Sequence, residues 1–132
     1  MRIFISYKYS NIKDKAQLKD ELLEVSDILE SFGHETFLLA RDVQNWNNKG
    51  HSLHSRFSIP AREIRKADGI FVYLNSSVLS PGLLFEIHWA KLFGKKIILA
   101  IKEGVRSSYL HKLASEKAIV FKNFAELKAG LK

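Results

Sequence analysis

The residues best placed to do chemistry in this chain lie in Ser80-Pro81-Gly82-Leu83-Leu84-Phe85-Glu86-Ile87. Ser80 followed by Pro81 is a capping hydroxyl before a proline in the first helical position, so a helix opens here. On a helical wheel Leu83, Ile87 and Ala90 define a buried stripe, and Glu86 lies on its margin, about 60° from the centre. A carboxylate on the border of a buried face needs a partner. A lysine is the ordinary one; a ligand is the other. Helical side chains lean toward the helix start, which directs Glu86 at whatever crevice faces that start. There an ionised carboxylate can stabilise positive charge or attack an electrophilic carbon. Gly82 lets backbone approach a ligand closely, and Ser80 offers a hydroxyl.

Other candidates surround this group. Trp46, in the polar stretch 41–49, suits stacking on a base, and Arg41 suits a phosphate. Asp68 and Asp42 are available proton donors, although Asp68 also reads as the end of a helix and Asp42 as a turn cap. His51 and His54 stand three residues apart without a third ligand at a recognisable spacing, so no metal site is expected. The chain has no Cys, which removes disulfides, thiolate zinc sites and cysteine nucleophiles together. Lys8-Tyr9-Ser10-Asn11 contains no Gly, so no phosphate-cradling loop follows the first strand and no flavin or other cofactor is expected.

The elements that must position these residues alternate along the chain. Arg2 to Tyr7 reads as a strand. Leu18, Leu22, Val25, Leu29 and Phe32 recur at helical spacing, and Gly33 stands where a left-handed C-terminal residue belongs. His34 to Ala40 reads as a second strand. Leu53, Phe57 and Ile64 mark a helix that Pro60 should start or kink. Gly69 to Leu74 is apolar throughout, as a strand covered on both faces should be. The helix opened by Pro81 runs to about Phe93, with Gly94 ending it. Lys96 to Ile101, a short helix at Ser107 to Ala114, strand Ala118 to Phe121, and a last helix capped by Asn123 complete the series. Such alternation implies right-handed crossovers and an α/β fold: a doubly wound, five-stranded parallel sheet in the flavodoxin-like order 2-1-3-4-5. The chain then reverses between strands one and three, and a crevice opens beyond their carboxyl ends, where the loop beginning at Tyr7 should meet the segment from Asn75 to Gly82.

Length and charge agree with one such unit. The 132 residues, 46% hydrophobic and 27% charged, are expected to form a single domain over residues 1–132. The longest apolar runs, 69–74 and 97–101, fall far short of the roughly 20 residues a spanning helix needs, so no membrane contact and a cytoplasmic location are expected. The net charge is +7, and residues 1–90 hold 11 charges of each sign, which leaves the whole excess in 91–132. Those cations are spread as on solvated helix faces rather than clustered with aromatics, so nucleic acid is not the expected partner.

Ala67-Asp68-Gly69-Ile70-Phe71-Val72-Tyr73-Leu74, Ser80-x-Gly82-x-x-x-Glu86-x-x-x-Ala90 and Gly94-Lys95-Lys96-Ile97-Ile98-Leu99 together resemble the nucleoside 2-deoxyribosyltransferase family and its nucleotide N-hydrolase relatives. The resemblance covers roughly residues 1–102 and includes Gly33-His34-Glu35-Thr36-Phe37. It implies a flavodoxin-like fold and cleavage or transfer of the N-glycosidic bond of a nucleoside or nucleotide. By the same resemblance Glu86 attacks the anomeric carbon, Ser80 binds a phosphate or sugar oxygen, and Tyr7 contacts the carboxylate or the sugar. Where those proteins often carry a further acid this chain has Pro60, and the second Gly of a Ser-x-Gly-x-Gly pattern is Leu84. The resemblance also implies a homo-oligomer whose pocket a neighbouring subunit closes. Phe4-Ile5-Ser6-Tyr7, Gly50-His51-Ser52-Leu53 and the Ser80 to Glu86 spacing are similar as well to Toll/interleukin-1 receptor (TIR) domains, which implies either NAD glycohydrolase chemistry at Glu86 or a non-catalytic signalling or adaptor module.

Overall fold

A computed structural model describes residues 1–8, 15–42, 53–75, 81–105 and 117–131. Five strands form one parallel sheet: β1 (Arg2–Tyr7), β2 (Glu35–Leu38), β3 (Gly69–Leu74), β4 (Lys96–Lys102) and β5 (Lys117–Phe121). Their order is β2-β1-β3-β4-β5, the flavodoxin-like order expected. The helices are α1 (Lys15–Ser31), a single turn α2 (Leu39–Asp42), α3 (Leu53–Lys66), α4 (Pro81–Leu92) and α5 (Phe124–Leu131). The helix expected over 107–114 lies outside the described residues.

Both faces of the sheet are covered, so the central strand β3 is buried along its whole length. Side chains alternate across it. Phe4, Ile70, Val72, Leu74, Ile97 and Leu99 pack on one side against Ile64 of α3 and Leu83, Ile87 and Ala90 of α4. Ile3, Ile5, Phe71, Tyr73 and Ile98 pack on the other against Leu18, Leu22, Val25 and Leu29 of α1 and Leu127 of α5.

Helix ends follow the residues expected to set them. Gly33 and Gly94 take φ of 88° and 67°, the left-handed conformation that ends α1 and α4. Pro81 is the first residue of α4. Asn123 Oδ1 accepts the Glu126 N–H at 3.0 Å and so caps α5, while the Glu126 carboxylate accepts the N–H of Lys122, the residue before the cap, at 2.9 Å.

Of the two places expected for Pro60, the start of α3 or a kink within it, the structure puts it inside the helix, where it is buried and its ring costs one backbone hydrogen bond. One element differs from expectation. β2 stops at Leu38, because the Asp42 carboxylate accepts the Leu38 N–H at 2.8 Å and folds the next four residues into a turn of helix.

Candidate active site

Glu86 lies on the second turn of α4, between the buried residues Leu83, Ile87 and Ala90 and the helix exterior. Its carboxylate meets β1: Ser6 Oγ donates to Glu86 Oε1 at 2.7 Å. Ser6 is fully buried. It pairs in register with Val72 of β3, two residues before that strand's end, which puts the carboxylate near the carboxyl edge of the sheet where β1 and β3 adjoin. Burial pushes the Glu86 carboxyl up to about 8, and the Ser6 hydrogen bond, which favours the charged form, only partly offsets it. The group is therefore mostly protonated at neutral pH in the folded protein. A cation formed beside it would draw the proton off.

The strand's two-residue period separates Ser6 from Tyr7. Tyr7 ends β1 with its side chain on the α1 face, packed against the cluster that contains Ile5 and Tyr73. The hydroxyl on the Glu86 carboxylate is thus that of Ser6, a residue the sequence reading passed over. The signal was present: Phe4 and Ser6 share the parity that faces α4. Lys8, just past β1, is also buried, and no described residue pairs with it.

Asn75 directly follows β3 at the same edge and is partly buried, and Gly82 sits in the first turn of α4. A Cβ at Gly82 would meet nothing within 4 Å among the described residues, so packing does not explain the glycine. Ser80, Trp46 and His51 lie outside the described residues, as does the side chain of His54.

Asp68 is not brought to this edge. It precedes β3, four residues before Val72, which is roughly 13 Å along the strand from the level of Ser6. There its carboxylate accepts the Arg2 N–H at 2.8 Å while its own N–H donates to the Arg2 carbonyl, stitching β1 to β3. Arg41 stands beyond β2, with its guanidinium committed to Ser26 Oγ at 2.9 Å, the Thr36 carbonyl at 3.2 Å and both Asp42 oxygens at 2.9 and 3.0 Å. Burial would raise the Asp42 carboxyl, but the Arg41 and Leu38 hydrogen bonds outweigh it and hold the group low. Asp42 is thus a structural anion rather than a proton donor.

Two grooves on the outside of α3 and α4, of about 440 and 350 Å³, lie away from Glu86 and share Trp89. Phe85, Trp89 and Phe93 stack along this outer face, and Trp89 Nε1 donates to the Ala61 carbonyl at 2.9 Å. Both grooves have apolar walls, and the one beside α3 a cationic rim of Arg62, Arg65 and Lys66, without convergent polar groups, whereas Glu86 combines a partly buried carboxylate with a hydrogen-bonded hydroxyl. Of these places Glu86 is the candidate site, because there a carboxylate and a hydroxyl converge.

No family model and no curated protein matches the chain. Solved structures do. Clostridium botulinum CMP N-glycosidase BcmB is 24% identical over 99% of this chain and 97% of its own, with a TM-score of 0.71. A 2-deoxyribosyltransferase from Bacillus psychrosaccharolyticus is 18% identical over 97% and 90%, with a TM-score of 0.71. BlsM is 24% identical over 98% and 86%, with a TM-score of 0.72. The chain has the nucleoside 2-deoxyribosyltransferase-like fold that its motifs resembled.

Proposed function

We propose that this protein cleaves or transfers the N-glycosidic bond of a nucleoside or nucleotide, with Glu86 as nucleophile. The observation that supports it most directly is the carboxylate at the head of α4, desolvated and held by Ser6 at the carboxyl edge of β1 and β3. As the bond from C1′ to the base nitrogen breaks, its electron pair leaves with the base, which takes a proton from water. A Glu86 oxygen then donates a lone pair to C1′, closing a glycosyl ester. Water or a second base attacks C1′ and the carboxylate departs with the electrons of the ester bond. The transition state is cationic at the sugar, so a carboxylate whose charge is costly in its buried surroundings is most stabilised when that cation forms.

Gly82 and Asn75 would border the sugar, with Ser80 on a phosphate or sugar oxygen and Trp46 on the base. A buried Lys8 without an anion among the described residues favours a substrate that brings one, a nucleotide over a free nucleoside. Arg41 would have to leave Ser26, Thr36 and Asp42 to hold that phosphate. Tyr7, on the far side of β1, would contact the sugar only from the strand end.

The same reading includes a homo-oligomer. α4 carries apolar side chains around its circumference, and Leu92 and Phe93 are 73% and 40% exposed. A light-scattering mass of one chain at working concentration would remove this part of the proposal.

The test is incubation with nucleosides, nucleoside monophosphates and NAD, reading released base by chromatography, with mass spectrometry of the Glu86 peptide for a trapped sugar. Base release from nucleotides with a sugar adduct on Glu86 is expected. Release of nicotinamide alone would move the reading to TIR-like chemistry, and no release from any compound would overturn catalysis.

A further inference from the structure

On the α4 side of the sheet the neighbours of Ser6 are apolar: Phe4 on its own strand and Ile70, Val72 and Leu74 on β3. A hydroxyl in such surroundings is costly unless it is bonded, and a small apolar residue would pack there without that cost. Ser6 Oγ has one hydrogen bond among the described residues, to Glu86 Oε1. Glu86 Oε2 has none among the described residues. No fully buried side-chain oxygen or nitrogen among the described residues lacks a partner, so Oε2 is not a sealed, unbonded atom. The two carboxylate oxygens are thus in different situations.

We propose that Ser6 is a positioning residue for Glu86: it holds Oε1 against β1 and leaves Oε2 as the oxygen that attacks C1′. The assignment rests on the nucleophile reading above. One hydrogen bond to a single carboxylate oxygen fixes the rotation of the planar group, so that the other oxygen faces the substrate side before anything binds. It also favours the ionised form that attack needs.

No other described group duplicates this. β3 presents apolar side chains to the carboxylate, and Glu63 of α3 is tied to Arg2 and Lys66. His88 on α4 is exposed, with Nδ1 on the Leu84 carbonyl, and among the described residues no charged side chain contributes to the Glu86 shift.

The experiment compares wild type, Ser6→Ala and Ser6→Thr. The carboxyl of Glu86 is titrated by carbon-13 NMR in substrate-free protein, and kcat and KM are measured on whichever nucleotide the wild type cleaves. In Ser6→Ala the Glu86 titration should move up by about one unit or more, the size of a lost hydrogen bond to a charged group. At pH 7 kcat should fall about tenfold or more, with KM within roughly threefold of wild type. Ser6→Thr, which restores the hydroxyl on a β-branched residue suited to a strand, should return both toward wild type. An unmoved titration in Ser6→Ala overturns the proposal. So does a Ser6→Ala variant with a lower melting temperature and unchanged kcat. The titration needs no substrate, so a wild type that releases no base defeats the nucleophile reading separately.

Discussion

At the residue scale the site turns on whether a side chain points to one side of β1 or the other. Glu86 was legible because a carboxylate on the margin of an apolar stripe calls for an explanation, and the wheel that singled it out needs only the helical period. Ser6 was missed because an apolar-flanked serine in a strand has no signature of its own; it becomes meaningful only once β1 and α4 are known to pack together. Glu86→Gln keeps the shape and removes the charge, so turnover should fall by at least about 10³ in a base-release assay. In wild type, kcat/KM should rise with pH through an acidic limb near 8, because only the ionised carboxylate attacks and the free enzyme holds it mostly protonated at neutrality. A limb at an ordinary carboxylate value would show that the site is wetter than its burial implies. Gly82→Ala should fold as wild type, having room for the methyl, while KM rises severalfold if substrate passes over that backbone. An unchanged KM would take Gly82 out of the site. Asp68→Ala should leave turnover intact and cost about 1 kcal/mol of stability, the value of the acceptor it gives Arg2. Helical spacing before β3 could not say which end of the sheet Asp68 occupies; the crossover does.

At the element scale, strands and helices were readable wherever period and punctuation agreed: the Gly33 and Gly94 ends, Pro81 at the head of α4, Asn123 before α5. They were not readable where a side chain competed with the backbone ladder: the Asp42 carboxylate, four residues on, accepts the Leu38 N–H and shortens β2. Arg41 belongs to this scale as well. Its bonds to Ser26, Thr36 and Asp42 clip β2 to α1, so Arg41→Ala should lower the unfolding free energy by about 1–3 kcal/mol in a denaturant titration. If Arg41→Ala melts as wild type and only KM for nucleotides rises, the residue is a ligand and the clip is incidental. Gly69 makes the junction of β3 and β4 possible in another way: a Cβ there would lie 2.9 Å from the Lys96 carbonyl oxygen, on backbone that cannot swing aside. Gly69→Ala should therefore splay the two central strands.

At the scale of the whole molecule the parallel sheet brings Ser6 and Glu86 together at one edge, and the burial of that carboxylate bears on global stability. The strand order is the expected one and sets β1 beside β3, the place where topology predicts a crevice at the carboxyl ends. The energetic consequence can be measured. Glu86 titrates near 4.5 in the unfolded chain and near 8 in the folded one. Between those values the folded state holds a proton that the unfolded state has lost, so this group's contribution to stability falls as pH rises. Below about 4.5 both states are protonated and the contribution is flat; above about 8 both are ionised and it is flat again at its lowest. Glu86→Gln removes this titration and leaves the others in place. The difference in unfolding free energy between the variant and wild type should therefore be small at pH 4 and grow in favour of the variant through pH 5 to 8. It should level off above that, at a kcal/mol or more. A difference that stays constant across the range, or that favours wild type at pH 8, would mean that a cation balances Glu86 in the folded protein, and the desolvated nucleophile would have to be given up.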